Sequence, residues 1–219
     1  MQNNLFDGVR NIIFDLGGVL IDLDFTAPVR AFEAIGHNSG HLDYRQAIRD
    51  PLFTRFETGE ATAEEFRARI REIIGNPEAS DASIDAAWCS MMDTIPAEKI
   101  TLLRQLSGRY RLFLFSNTNT IHISYFLERF EKQNGYNLES LFEQCFYSHL
   151  IGDRKPLPTS FGKILNLGNM LKEETLFIDD FEENALAARN FGLRAIHYLP
   201  GTDLADYFNG NRDNNPEAF

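Results

Sequence analysis

Four short apolar runs, separated by segments with helical patterns, constrain the fold of this chain more than any other feature of its sequence. The runs are rich in β-branched and aromatic residues, and they occupy residues 11–15, 111–117, 175–180 and 193–199. Continuous apolar runs, unlike alternating ones, are typical of strands that are buried on both faces of a parallel sheet. Because helical patterns lie between the runs, we expect an α/β fold with helices on both faces of the sheet.

The segment from residue 25 to residue 95 has a different pattern, because it contains no convincing strand. Within it, Thr62 and Glu65 have the spacing of a capping box, which marks the start of a helix, and Gly75 is typical of a helix end. The helix between them carries four apolar side chains on one face: Phe66, Ile70, Ile73 and Ile74. We therefore expect a small helical insertion between the first strand and the rest of the sheet.

These patterns divide the chain into three parts. We predict that residues 1–24 and 96–208 form the sheet domain, that residues 25–95 form the helical insertion, and that residues 209–219 form a poorly ordered tail. The sheet domain is then assembled from two separate stretches of the chain.

Composition and charge argue against several classes of function. The formal net charge is -11, and an acidic chain without a lysine- or arginine-rich run repels nucleic acid, so we expect no nucleic-acid partner. The apolar runs are shorter than the roughly 18 residues of a membrane-spanning helix, and no signal-peptide pattern is present, so we expect a cytoplasmic protein without membrane contact. Cys89 and Cys145 are isolated, which argues against a disulfide framework or a zinc site.

Polar residues collect at the ends of three of the four predicted strands. The first run ends at Asp15, the second at Ser116 and Asn117, and the third at Asp179 and Asp180. In an open parallel sheet, ligands bind beyond the carboxyl ends of the strands. We therefore expect these side chains to lie around one site.

The residue types at this edge indicate phosphoryl transfer. Lys155 precedes Pro156, which disfavours helix at the lysine and so predicts a loop position near the same site. Three clustered carboxylates repel one another, and hard oxygen ligands of this kind suit magnesium. Magnesium and Lys155 together could neutralise a phosphate that a carboxylate nucleophile would otherwise repel. Phosphoryl transfer through Asp15 is the chemistry that uses every one of these groups.

Each group also has a purely structural interpretation. Asp15 precedes two glycines and could belong to a turn that ends the strand. Ser116 and Asn117 could cap the next helix, which is a common role for these residues after a strand. Asp179 and Asp180 could stabilise the positive end of the helix that follows them.

Four motifs in order resemble the haloacid dehalogenase superfamily. They are "FDLGGVL", "LFSNT", "RKP" and "FIDDFEEN", and "FETGEATAEEF" resembles the members with a small helical cap inserted after the first strand. The resemblance extends from residue 12 to about residue 199. With glycine at position 17, the chain most resembles bacterial phosphatases of sugar phosphates such as glucose 1-phosphate. The resemblance implies a Rossmann-like parallel-sheet core with a cap domain closing over the site.

The resemblance also implies roles for individual residues. Asp15 would attack phosphorus and form an aspartyl phosphate. Ser116 and Lys155 would hold the phosphoryl oxygens, and Asn117 would help through its side chain or its backbone. Residues of the cap would select the substrate, a small phosphorylated metabolite.

The metal site that the resemblance implies is acidic. Magnesium would be bound by Asp15, by the backbone carbonyl of Gly17 and by Asp180, with Asp179 acting directly or through water. Asn184 would steady this acidic loop.

Position 17 departs from the usual phosphatase pattern, which has a second aspartate two residues after the nucleophile to protonate the leaving group. Gly17 preserves the backbone carbonyl but not the acid, whose assistance is typically worth roughly 100- to 10,000-fold in rate. Asp22 is the nearest alternative acid along the chain. If no acid replaces it, esters with acidic leaving groups, such as anomeric sugar phosphates or aryl phosphates, should be favoured over simple alkyl phosphates.

The sequence therefore predicts a magnesium-dependent phosphatase of a small phosphomonoester, with a sugar phosphate as the favoured substrate class. Three alternatives remain open: a sugar-phosphate mutase, a 2-haloacid dehalogenase and a phosphate-binding protein with weak turnover. The paired Asp179 and Asp180 argue against the dehalogenase, because classical dehalogenases generally lack the paired acidic metal site.

Overall fold

A five-stranded parallel sheet forms the centre of the molecule in the computed structural model, which describes residues 5–36 and 50–208. Its strands are β1 (Asn11–Phe14), β2 (Arg111–Ser116), β3 (Gln144–Tyr147), β4 (Thr175–Asp179) and β5 (Arg194–His197). They lie in the order β3-β2-β1-β4-β5, and every neighbouring pair is parallel. The predicted α/β class with a Rossmann-like parallel sheet is confirmed.

Strand β3 was not predicted from the sequence. It lies at one edge of the sheet and pairs only with β2. Its four residues change from exposed at Gln144 to buried at Phe146 and Tyr147, so it lacks the continuous apolar run of a strand buried on both faces. An edge strand can be this short and polar because only one of its sides is paired.

Helices cover both faces of the sheet. Helices α5 (Ala97–Leu106) and α6 (Thr120–Asn134) pack on one face, and α8 (Pro158–Leu167) and α9 (Glu182–Phe191) pack on the other. Successive strand residues point to opposite faces. Ile12 and Phe14 accordingly belong to the first hydrophobic cluster and Ile13 to the second.

The described residues between 25 and 95 form four helices and no named strand. These helices are α1 (Ala27–Ile35), α2 (Pro51–Glu57), α3 (Ala63–Ile74) and α4 (Asp81–Cys89). The predicted capping box at the start of α3 is confirmed, because Thr62 and Glu65 bond to each other's backbone, and Gly75 ends the helix in the left-handed conformation. A cluster of aromatic rings joins α2, α3 and α4, and it consists of Phe53, Phe56, Phe66 and Trp88.

The chain leaves and re-enters the sheet region through two segments that lie side by side. Leu23 and Met92 form an antiparallel bridge, and the backbone bonds from Asp24 to Met91 and from Asp93 to Asp22 flank it. A short helix, α7 (Ser148–Ile151), follows β3 and contacts α2. Gly59, just after α2, lies so close to this helix that a Cβ atom would be 2.2 Å from the carbonyl oxygen of His149.

The described residues include no helix long and apolar enough to cross a membrane. The predicted tail at residues 209–219 lies outside the described residues.

Candidate active site

The carboxyl ends of three neighbouring strands bring the predicted polar residues together. Asp15 directly follows β1, Ser116 ends β2 and Asp179 ends β4, and all three are buried. Because β1 lies between β2 and β4, these side chains meet at one point of the sheet edge. The sequence-based expectation of a shared site therefore matches the observed positions.

Lys155 lies at the centre of this group. Its ammonium nitrogen is 2.8 Å from Asp15 Oδ1 and 2.7 Å from Asp179 Oδ2, and it donates a hydrogen bond of 3.1 Å to the carbonyl oxygen of Phe115. Its side chain is only 1% exposed, so Lys155 is not a solvated surface lysine. Burial disfavours the charged lysine, but the carboxylates of Asp15 and Asp179 outweigh it and raise the pKa of Lys155.

Asn117 holds the backbone of Lys155. Its side-chain nitrogen donates to the Lys155 carbonyl oxygen at 2.9 Å, and its side-chain oxygen accepts from the Lys155 backbone nitrogen at 3.0 Å. The amide therefore positions the loop that carries the lysine. The alternative that Ser116 and Asn117 cap the next helix is wrong, because Asn119 is the N-cap of α6 and accepts from His122.

Three carboxylates form the group in which a cation would fit. One oxygen of each of Asp15, Asp179 and Asp180 lies within 4.8 Å of the others. Asp179 is fully engaged, because Oδ2 meets Lys155 and Oδ1 accepts from Phe181 N and from the Asn184 side chain, each at 2.9 Å. By contrast, Asp180 Oδ1 is buried and has no hydrogen-bond partner among the described residues. A divalent cation would satisfy this oxygen and relieve the repulsion among the three carboxylates, so the residues fit the predicted magnesium site.

Two carboxyls of this group have strongly raised pKa values. Burial, reinforced by the neighbouring Asp179 and Asp180 and opposed by Lys155, raises the pKa of Asp15 to about 8. Burial and Asp179 also raise the pKa of Asp180 to about 6. Because both shifts penalise the ionised form, a cation bound here would favour deprotonation of both residues.

Two glycines shape the loop after Asp15. Gly18 has a φ of +73°, and a Cβ atom there would lie 2.0 Å from Asp180 Oδ2, so only glycine leaves room for that carboxylate. Gly17 has no such positive φ, but its Cβ position lies 2.7 Å from Leu23 Cδ1. A leucine side chain therefore fills the space that an acid at position 17 would enter.

Asp22 is not placed to replace the missing acid. Its side chain is exposed and is not part of the cavity wall, and it interacts electrostatically with Lys99 on the outside.

A cavity of about 380 Å³ opens above the acidic group. Most of its wall is apolar, and the apolar residues that line it include Leu23, Phe25, Phe53, Trp88, Met91, Met92 and Phe181. The cavity is thus enclosed by the sheet edge on one side and by the described helices of residues 25–95 on the other.

One wall of the cavity carries polar side chains that the sequence reasoning did not identify. Arg154 Nη1 lies 3.2 Å from Glu57 Oε2 and 3.5 Å from Thr54 Oγ1. Burial raises the pKa of Glu57, although Arg154 and Lys155 oppose the shift. Arg154 could have been noticed from its place beside Lys155 in the "RKP" motif, but no sequence signal pairs it with a helix about a hundred residues away.

His122 also lines the cavity but is not a free acid or base. Its ring stacks on Trp88 at 4.6 Å, and Nε2 donates to the Trp88 carbonyl oxygen at 3.1 Å. Burial lowers the pKa of His122 to about 4, so the imidazole is neutral at pH 7. Asn119 lies 3.4 Å from its other nitrogen, which leaves the ring little capacity to exchange protons with a ligand.

Several proteins of known sequence or structure are similar to this chain. D-ribitol-5-phosphate phosphatase of Bacteroides thetaiotaomicron is 26% identical over 195 residues, which is 89% of this chain and 94% of that protein. Glyceraldehyde 3-phosphate phosphatase of Pyrococcus furiosus is 25% identical over 202 residues, which is 88% of this chain and 82% of that protein.

A solved structure is similar over the same extent. A haloacid dehalogenase family enzyme of Bacteroides thetaiotaomicron, crystallised in its wild-type form with magnesium and inorganic phosphate, superposes with a TM-score of 0.84 and 34% identity. The match covers 91% of this chain and 99% of that one. The family model of haloacid dehalogenase-like hydrolases matches residues 9–192. The resemblance predicted from the four motifs is thereby confirmed, and this chain belongs to the haloacid dehalogenase-like hydrolases.

Proposed function

We propose that this protein is a magnesium-dependent phosphatase of a small phosphomonoester, and that it acts through an aspartyl phosphate on Asp15. One observation carries the proposal: a buried carboxylate, Asp15, and a buried lysine, Lys155, line one cavity, and the neighbouring Asp180 has a buried oxygen without a partner among the described residues. The relatives named for phosphatase activity and the similar enzyme crystallised with magnesium and phosphate support it. Clustered carboxylates without a cation would repel a phosphate ester.

Asp15 is oriented for attack. Its Oδ1 accepts from the backbone nitrogen of Leu16 at 2.7 Å and meets Lys155 at 2.8 Å. These two donors fix the carboxylate and leave Oδ2 as the attacking atom. In the first step a bond forms between that oxygen and phosphorus, the bond from phosphorus to the leaving oxygen breaks, and the leaving oxygen takes up a proton from solvent water. Water then attacks phosphorus, which releases phosphate and restores the carboxylate.

The surrounding residues hold the charge of the phosphoryl group. Lys155 is charged and buried, and it and the Ser116 hydroxyl contact the phosphoryl oxygens. Asn117 acts on the phosphate through the loop that it fixes, because both ends of its amide already bond to Lys155. These donors are in place before substrate arrives, so little reorganisation is needed in the transition state.

Asp15, Asp180 and the carbonyl of Gly17 would hold magnesium, which supplies positive charge to the phosphoryl oxygens when bound. Asp179 would act through water, because each of its oxygens already has a partner. Asn184 would hold Asp179 through the bond of 2.9 Å to Oδ1. Residues 1–24 and 96–208 would form the catalytic domain and residues 25–95 the cap domain that selects the substrate.

The favoured substrate class is a phosphorylated sugar or polyol, because two of the relatives are named for phosphates of that kind. We also propose that the protein is cytoplasmic. Its partner would be a small phosphorylated metabolite, and it would not bind nucleic acid. Cell fractionation tests the location, and a mobility-shift assay tests the lack of nucleic-acid binding.

Phosphate release tests the proposed function. An aryl phosphate, glucose 1-phosphate and ribitol 5-phosphate would be offered to the wild type, to Asp15→Asn and to Asp22→Asn, with and without magnesium. We expect magnesium-dependent release by the wild type and by Asp22→Asn, whose exposed carboxylate lies outside the cavity wall, and none by Asp15→Asn. Release by Asp15→Asn at the wild-type rate, or no release by the wild type from any ester, would refute the proposal.

A further inference from the structure

The cavity has a polar corner that the phosphate chemistry does not use. It consists of Thr54, Glu57 and Arg154, which we call the polar corner. Thr54 and Glu57 lie one turn apart on α2, so both face the same way. Arg154 directly precedes Lys155, whose ammonium contacts the nucleophile Asp15. The polar corner and the nucleophile therefore line the same cavity, and Glu57 is close enough to Lys155 to interact with it electrostatically.

Arg154 has unused donor capacity in this corner. Nη1 faces Glu57 Oε2 at 3.2 Å and Thr54 Oγ1 at 3.5 Å. Nε is buried and has no hydrogen-bond partner among the described residues. A buried donor without a partner is unfavourable, and a ligand oxygen that accepts from it would remove that penalty. Arginine only donates, so the complementary group on a ligand is an oxygen that accepts.

Glu57 restricts which oxygen fits. Its carboxylate accepts, so the corner presents a donor and an acceptor side by side, and a hydroxyl group is the ligand that both accepts and donates. The ion pair also neutralises Arg154, which removes the excess positive charge that a second phosphate would require. Glu183 adds negative charge to the same cavity. The corner therefore suits a neutral hydroxyl and disfavours a bisphosphate.

We propose that the polar corner binds a hydroxyl group of the leaving group, with Arg154 Nε as donor and Glu57 as acceptor. This contact selects phosphate esters of polyols or sugars over otherwise equal esters that lack the hydroxyl. The inference rests on the proposed function and names its substrate class. The carbon face of the same leaving group packs against the apolar wall around Phe53 and Met91. A bisphosphate is a poor ligand on this account, which weakens the mutase alternative.

The test compares a polyol phosphate with its deoxy analogue. Arg154→Lys retains a cation for the ion pair with Glu57, and hence the contact between α2 and the Lys155 loop, but it removes Nε and the planar fork. A hydrogen bond to a charged group is worth about 1.5–3 kcal/mol, or about 10- to 150-fold. We expect the ratio of kcat/KM for ribitol 5-phosphate to that for a deoxyribitol 5-phosphate to fall by this factor in Arg154→Lys and in Arg154→Met. The control is Arg55→Met, which changes an exposed arginine on α2, the helix that carries Thr54 and Glu57. This variant should have the same ratio as the wild type.

A binding measurement separates this inference from the proposed function. In the Asp15→Asn background, calorimetry gives the Kd of the intact polyol phosphate and of its deoxy analogue without turnover. The inference predicts that the wild-type corner prefers the polyol ester and that Arg154→Lys abolishes the preference. Equal affinity for both esters with the corner intact would overturn the inference. It would also be overturned if Arg154→Lys lowered the affinity for both esters by the same factor, because a purely structural ion pair predicts that result. If the wild type shows the preference but releases no phosphate from any ester, the proposed function fails and the binding corner stands.

Discussion

An aspartate introduced at position 17 would supply the acid that this chain lacks, but the structure predicts that a second change is needed for its full effect. Gly17 has no left-handed φ, so its backbone accepts a side chain. The Cβ atom would nevertheless lie 2.7 Å from Leu23 Cδ1, more than half an ångström inside ordinary van der Waals contact. The end of Leu23 must move, and overpacking of this kind costs about 1–3 kcal/mol. Leu23→Ala removes the obstacle.

The expected gain follows from the chemistry of the leaving group. A positioned acid is typically worth about 100- to 10,000-fold when the leaving oxygen is basic, and little when it is already a good leaving group. On an alkyl phosphate, Gly17→Asp with Leu23→Ala should therefore exceed Leu23→Ala alone by about 100-fold or more in kcat. Gly17→Asp alone should gain less than the pair, because the end of Leu23 occupies the space that the new carboxyl must enter. On an aryl phosphate the pair should gain little.

The assay is steady-state phosphate release from a series of esters with graded leaving-group pKa. Gly17→Asn with Leu23→Ala is the matched control, because it has nearly the same shape and no acidic proton. The wild type and the control should show a steep dependence on leaving-group pKa, and Gly17→Asp with Leu23→Ala a shallow one. A flat dependence in the wild type, or equal rates for the aspartate and asparagine variants, would refute the reasoning.

Three further predictions concern the acidic group. Gly18→Ala should weaken magnesium binding at least ten-fold by calorimetry, because its Cβ would lie 2.0 Å from Asp180 Oδ2; unchanged affinity would contradict this contact. The pKa values of Asp15 and Asp180 are raised to about 8 and about 6, so below those pH values magnesium must displace protons from the carboxyls. The Kd for magnesium should therefore fall as the pH rises through this range, and binding should release protons that can be measured. A pH-independent Kd would show that both carboxyls are already ionised. Lys155→Met should lower the free energy of unfolding, measured with urea in metal-free buffer, by about 3–5 kcal/mol, because it leaves Asp15 and Asp179 without their buried cation; an unchanged midpoint and slope would contradict that account.

The sequence predicted the central strands because they are buried on both faces. β1 and β4 are continuous apolar runs, and every one of their residues is buried. β3 escaped prediction because it begins at the exposed Gln144 and only its last two residues are buried, so it has no continuous apolar run. The capping box of α3 was predictable because Thr62 and Glu65 act on each other within one helical turn.

For the site residues, too, the sequence predicted positions that depend on local patterns and missed contacts between distant parts of the chain. Asp15 and Asp179 were expected together because neighbouring parallel strands end at one edge. The closeness of Leu23 to Gly17 depends on how the loop folds back between them, which spacing alone does not specify. The pairing of Arg154 with Glu57 depends on which face of α2 turns toward the sheet, and no local pattern carries that information. The role expected of the Asn117 side chain at the phosphate also changed, because only the fold shows that Lys155 occupies both of its polar atoms.

The covalent intermediate on Asp15 is the step on which the proposed mechanism depends, so the most informative experiment is to trap it. The magnesium-loaded enzyme would be mixed with a good substrate, quenched within milliseconds and treated with borohydride, which reduces an aspartyl phosphate to homoserine. The account predicts homoserine at position 15 in the peptide that covers residues 11–24, formed only in the presence of both substrate and magnesium. Modification at another carboxylate, or a burst of released alcohol with position 15 unmodified, would contradict it.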